Sequence, residues 1–198
     1  MLYNIILYSV LHFSFTRGQS RVIKTMQSLD LHTSGDQKKP LLIVFDLDLT
    51  LWPFRVDKST TSPFHLSRKG NVTDAKGKVL KTFPSVSEVL KELLDNKYVL
   101  AIASRIEDIA GVYQLLHLFE ITHYFAYKEI YPGSKTSHFQ KLRAKSGVDY
   151  SDMLFFDDDK RNVRDVSRLG VTVLQVPDSG ITSAVVKSGL SLFASQHV

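Results

Sequence analysis

The run Leu41-Leu42-Ile43-Val44-Phe45, ended abruptly by Asp46, constrains the fold of this chain more than any other feature. A strand with one face in water alternates apolar and polar residues, whereas a strand apolar at every position is covered on both faces. Tyr98 to Ala103 and Met153-Leu154-Phe155-Phe156 are further apolar runs, with shorter strands expected at Tyr124 to Tyr127 and Val171 to Val176. Between them apolar residues recur at helical spacing: Val86, Val89, Leu90, Leu93 and Leu94 after Pro84, then Ile109, Val112, Leu115, Leu116 and Phe119 within Ile106 to Phe119. Further helices are expected over Ser134 to Ser146 closed by Gly147, Asp159 to Leu169 ended by Gly170, and Ser183 to Ser195. Strands separated by helices predict an α/β fold, a parallel sheet with helices on both faces.

Two segments fall outside this rhythm. Residues 50–83 contain Pro53, Pro63, Gly70, Asn71 and Gly77, and Val72 and Val79-Leu80 flank a turn, which predicts a small β-hairpin insertion. Residues 1–39 read as an N-terminal extension and linker, leaving 40–198 as one domain, a size that suits a single core. The net charge of +5 is concentrated in the extension: residues 1–40 carry Arg17, Arg21, Lys24, Lys38 and Lys39 against Asp30 and Asp36, net +3. No dense basic block remains, so no nucleic-acid partner is expected. Met1 to Phe15 is apolar but broken by Asn4, Ser9, His12 and Ser14, and too short to span a bilayer, so no stable membrane insertion is expected. Met1 to Leu29 lacks acidic residues, as transit peptides do. The expected location is cytoplasmic, with organelle targeting, or a translation start at Met26, as the alternatives. The chain has no cysteine, which excludes disulfides and thiolate metal sites.

In an open parallel sheet, ligands bind beyond the carboxyl ends of the strands. Asp46-Leu47-Asp48-Leu49-Thr50 follows the first strand, Ser104-Arg105 the second, and Asp157-Asp158-Asp159-Lys160-Arg161-Asn162 the fourth, while a helix start near Ser134 supplies Lys135. Crowded carboxylates repel and need a cation to stay ionised, and an all-oxygen set suits magnesium. A phosphate would then need a point charge, a hydroxyl and a guanidinium fork, which Lys135, Ser104 and Arg105 offer. One carboxylate can be a nucleophile and another a general acid and base.

The set Asp46-x-Asp48-x-Thr50, Ser104, Lys135 and Asp157-Asp158-x-x-x-Asn162 resembles the haloacid dehalogenase superfamily of aspartate-nucleophile phosphatases. The strings from Val44 to Phe54, Glu129 to Lys135 and Phe155 to Asp158 resemble its eukaryotic magnesium-dependent phosphatase branch, of acid phosphatase type. The resemblance runs from about Lys39 to Phe193. It implies a Rossmann-like sheet flanked by helices, with 50–83 as a small cap that leaves the site open. It implies that Asp46 attacks phosphorus, that Asp48 protonates the leaving group and later activates water, and that Thr50 supports their loop. Leu47, Ser104, Arg105 and Lys135 would bind phosphate. Mg2+ would be held by Asp46, the carbonyl of Asp48, and Asp158, with Asp157 and Asn162 in support. The implied substrate is a phosphorylated small molecule, such as a sugar phosphate, or a phosphotyrosyl protein.

Blander roles compete for several of these residues. Ser104 could merely cap the next helix, Arg105 could form a surface ion pair, and Asp157 and Asp159 could serve a helix N-terminus. Trp52, His138, Phe45, Phe155 and Phe156 read as structural. A dehalogenase would not need Asp48, and a mutase would need a larger cap. A non-enzymatic receiver-like phospho-acceptor uses similar residues, but places its acid pair after the first strand and its acceptor after a middle one. A monomer is the default expectation.

Overall fold

The computed structural model describes residues 38–197, so the expectations for the N-terminal extension lie almost wholly outside the described residues. Five parallel strands form the main sheet: β1 (Leu42–Phe45), β4 (Leu100–Ser104), β5 (Phe125–Ile130), β6 (Met153–Asp157) and β7 (Thr172–Gln175). Their order is β5-β4-β1-β6-β7, so the apolar run that opens the domain lies at the centre. β2 (His65–Leu66) and β3 (Val72–Thr73) form a separate antiparallel pair in the insertion.

Alternation along β1 divides the core into two layers. Ile43 and Phe45 face one side of the sheet, where they pack with Val89 and Leu93 of α2 (Val86–Asp95), Val112 and Leu115 of α3 (Ile109–Leu118), and Phe193 of α6 (Ser183–Ser195). Leu42 and Val44 face the other side, against Phe139 and Leu142 of α4 (Lys135–Ser146) and Val166 of α5 (Lys160–Ser167). Every residue of β1 is buried, as a strand covered on both faces requires. Phe45 stacks on Phe156 at 5.3 Å between ring centroids, and Phe139 meets Phe155 edge-on at 4.9 Å.

The bounds of several expected elements shift. The helix expected from Ile106 begins at Ile109, because Asp108 caps it by accepting from Gly111 N. The strand expected at Tyr124 to Tyr127 runs instead from Phe125 to Ile130, since Thr122–Tyr124 is a 3-10 turn and pairing with β4 continues to Ser104↔Ile130. The regular ladder of the hairpin joins β2 to β3, while the expected partnership of Val72 with Val79-Leu80 is reduced to a Thr73↔Val79 bridge and a bond from Leu80 N to Val72 O. The buried carboxylate of Asp74 orders that turn by accepting from the N–H groups of Thr61, Lys76 and Lys78. A four-residue helix, α1 (Val56–Ser59), also lies in the insertion. No described helix is long and apolar enough to cross a membrane.

Candidate active site

Parallel register brings the chemical residues to one edge. Phe45 pairs with both Ile102 and Phe156, so Asp46, Ser104 and Asp157 emerge nearly level from three adjacent strands. The chain after β1 then folds into a tight turn: Thr50 and Leu51 both donate to Leu47 O, and Leu49 adopts φ 61°. A left-handed leucine costs about 1–3 kcal/mol and persists only where its surroundings fix it. Here Leu49 N donates to Trp52 O at 2.8 Å, and the buried Leu47, Leu51 and Trp52 side chains anchor the turn. Two aspartates thus sit on a rigid loop at the centre of the sheet.

Lys135 joins these elements. It opens α4, whose N-cap Ser134 accepts from Ser137 N, and its side chain is almost wholly buried. Its ammonium lies 2.5 Å from Asp46 Oδ1 and 3.2 Å from Asp157 Oδ2, and also donates to Ala103 O. Burial works against the Lys135 charge, but the Asp46 and Asp157 carboxylates outweigh it and hold its pKa above that of an ordinary lysine. Burial pushes the Asp46 carboxyl up, with Lys135 pulling the other way.

Asp157 is not a helix-terminus residue, as one reading of the sequence had it; it ends β6 and is fully buried. Its oxygens accept from Asn162 Nδ2 at 3.0 and 3.1 Å and from Asp159 N at 2.8 Å, besides Lys135. Burial, then the charge of Asp46, raise its pKa to about 6. Asp159 does cap α5, accepting from Arg161 N.

Carboxylate oxygens of Asp46, Asp157 and Asp158 all lie within 4.8 Å of one another, an all-oxygen set of the kind a hard divalent cation takes. Since Asp157 is already occupied by protein donors, Asp46 and Asp158 are the members with lone pairs to spare. The residues present therefore fit magnesium.

The remaining residues take up definite positions. Asp48 accepts from Trp52 Nε1 at 2.8 Å and from Val56 N at 3.1 Å, and burial raises its pKa to about 6 against both bonds. Trp52 is wholly buried and stacks on Phe54 at 5.5 Å, so it is a core residue that also orients Asp48. Ser104 does not cap a helix; its buried hydroxyl has no hydrogen-bond partner among the described residues, and the residue lines the same cavity as Asp46. Arg105 forms no ion pair among the described residues and donates from Nη1 to Asn162 Oδ1 at 3.2 Å. Thr50 is buried, its carbonyl accepting from Ile181 N. His138 is buried, with Nδ1 on Ser134 O and Nε2 on Tyr131 O, and holds the loop before Lys135. The cavity, of about 210 Å³, is completed by Arg161 of the run after β6 and by Arg55, Asp57 and Lys58 of the insertion, which the sequence did not single out. Their charge was visible, but nothing in their spacing says that the insertion folds back over the sheet edge.

A parallel sheet covered by helices on both faces, with this edge, is the fold of the haloacid dehalogenase-like hydrolases. It is shared with a HAD-superfamily hydrolase from Ehrlichia chaffeensis (TM-score 0.57, 12% identity, 81% of this chain and 99% of that one). It is shared also with the N-terminal, phosphatase-domain-containing part of a Bacteroides fragilis protein complexed with Mg (TM-score 0.56, 18% identity, 79% of this chain and 41% of that one). The chain belongs to the family described as Acid Phosphatase, which it matches over residues 38–196. It is 48% identical over 155 residues to magnesium-dependent phosphatase 1 of Homo sapiens, covering 78% of this chain and 88% of that protein. A HAD-like hydrolase superfamily protein of Schizosaccharomyces pombe is 38% identical over 147 residues, 69% of this chain and 85% of that protein. The family resemblance read from the motifs is thereby borne out.

Proposed function

We propose that this protein is a magnesium-dependent phosphatase that hydrolyses phosphate monoesters through a phosphorylated Asp46. The observation that carries this reading is the meeting of Asp46, the free hydroxyl of Ser104 and the buried Lys135 at the carboxyl edge of the sheet, beside Asp158. Bound by Asp46, Asp158 and the backbone carbonyl of Asp48, magnesium would supply the positive charge that lets crowded carboxylates ionise together near a phosphate.

The chain's own residues perform the steps. Ser104 Oγ, Leu47 N–H, Arg105 and the Lys135 ammonium hold the phosphoryl oxygens. An Asp46 oxygen attacks phosphorus, the bond to the leaving oxygen breaks, and Asp48 gives that oxygen its proton. Asp48 then takes a proton from water, whose oxygen displaces Asp46 and releases inorganic phosphate. Asp48 suits this double role because its pKa, about 6, lies near neutrality. Thr50 braces the turn, and Asp157 with Asn162 keeps Lys135 in place.

A phosphotyrosyl protein and a sugar phosphate both fit a site of this openness. The protein acts as a monomer in the cytoplasm on this reading, with targeting by the N-terminal segment as the alternative. The test is hydrolysis of p-nitrophenyl phosphate with magnesium and with EDTA, beside Asp46→Asn. Magnesium-dependent turnover that vanishes in the variant supports the mechanism; equal turnover by variant and wild type refutes it.

A further inference from the structure

We propose that the outer wall of the cavity, built by the insertion, is a subsite for a second anionic group on the substrate's leaving group, with Arg55 and Lys58 as its cations. The inference rests on the phosphatase reading above and narrows its substrates to esters whose leaving group carries a carboxylate or a second phosphate.

An inventory of positive charge around the cavity leads to these two residues. Lys135 is engaged by Asp46 and Asp157. Arg161 is held by Asp159 through Nε at 3.2 Å and Nη2 at 2.8 Å. Arg105 is tied to Asn162. Arg55 and Lys58 both line the cavity, yet among the described residues neither side chain donates a hydrogen bond. Arg55 forms a loose ion pair, Nη2 lying 3.6 Å from Asp158 Oδ2, which is beyond hydrogen-bond reach and leaves its donors unused. Two cations with unspent donors therefore stand at the mouth of a site whose floor is acidic.

Exposed cations are ordinarily just solvated, but these two stand on a backbone fixed from three directions. Asp48 Oδ2 accepts from Val56 N at 3.1 Å. Ser59 Oγ accepts from Arg55 N at 3.1 Å and donates to Arg55 O at 2.8 Å. The Asp57 carboxylate accepts from Glu107 N at 3.0 Å and Asp108 N at 3.1 Å, fastening α1 to the loop after β4. Core packing accounts for only part of the anchoring, because Val56, which joins the main core, is the only buried residue of this four-residue helix. Positioning of what it carries over the cavity accounts for the rest.

The size of the cavity gives these cations their role. About 210 Å³ is below the roughly 300–1,000 Å³ that encloses a whole drug-sized ligand. A phosphoryl group seated by Asp46 and Ser104 leaves its alcohol portion to pass the rim, where the Arg55 fork matches a carboxylate or phosphate face and Lys58 adds a point charge. A neutral leaving group leaves both unmatched, and a cationic one is repelled.

The test compares kcat/KM of the full chain with magnesium for phenyl phosphate and for meta- and para-carboxyphenyl phosphate. The ratio of charged to neutral ester is then compared between wild type, Arg55→Met/Lys58→Met and Arg55→Glu/Lys58→Glu, which cancels differences in leaving-group reactivity. The expected ratio for the better carboxyphenyl isomer falls about tenfold in the methionine variant and further on charge reversal. In wild type it shrinks with added salt. Wild-type turnover of both esters with a ratio within about twofold across the variants overturns this inference alone. Failure of the wild type on every ester overturns the phosphatase reading and this inference with it.

Discussion

Replacing Lys135 by methionine tests the electrostatic core of the site without touching the proposed nucleophile. The substitution keeps most of the side-chain volume and removes an ammonium that contacts Asp46 at 2.5 Å and Asp157 at 3.2 Å inside the protein. Removing one member of a buried ion pair leaves the other charge uncompensated and costs about 3–5 kcal/mol. With about 2–4 °C per kcal/mol for a domain of this size, Tm should fall by roughly 6–20 °C in EDTA. The loss depends on pH in a definite sense. The Asp157 carboxyl, raised to about 6, binds protons more tightly in the folded state than the unfolded chain does, so its folded form is favoured at low pH and loses that advantage as pH rises through about 6. Without Lys135 that pKa climbs further, so the gap between wild type and variant should be widest above neutrality and narrow as pH falls through 6 and below. Urea unfolding of both proteins from about pH 5 to pH 8 measures this directly. A gap below about 1 kcal/mol, or one independent of pH, would refute the picture of Lys135 as the charge that holds two buried carboxylates together.

Other predictions concern the acid, the insertion and the metal. Since Asp48 must be protonated to serve the leaving group and its pKa lies at about 6, kcat/KM should decline above that pH. Trp52→Phe removes a donor that favours the charged form, so the declining limb should move to higher pH, as a pH profile of the variant would reveal. Asp57→Ala removes the two acceptors that hold Glu107 N and Asp108 N, and these amides should exchange hydrogen markedly faster while Tm drops by only a few degrees. Asp158→Asn should weaken magnesium affinity, raising the magnesium concentration for half-maximal activity about tenfold or more, whereas an unchanged half-maximal concentration would remove Asp158 from the ligand set.

Local chemistry was legible wherever the sequence carried it alone. The Leu41–Phe45 run named a strand covered on both faces because only such a strand can lack polar residues throughout, although Leu41 itself lies outside it and is exposed. Gly147 marked the end of α4 because a left-handed glycine satisfies orphan backbone groups. Asp46, Ser104, Asp157 and Asp158 were found because parallel strands deliver whatever follows them to one edge.

Only the tertiary structure decided what depends on neighbours distant in the chain. That Asp157 is a buried partner of Lys135, rather than a helix-terminus charge, follows from strand register and from where α4 begins. That Trp52 orients Asp48 while packing on Phe54, and that Arg55 and Lys58 overlook the cavity, follow from how the insertion folds back. Periodicity encodes which face of an element is buried, and so fixes the sheet and its helices. It carries no information on which charges of a short irregular segment will meet, because that depends on hydrogen bonds such as those of Asp57 with Glu107 N and Asp108 N, made between residues 50 and 51 positions apart.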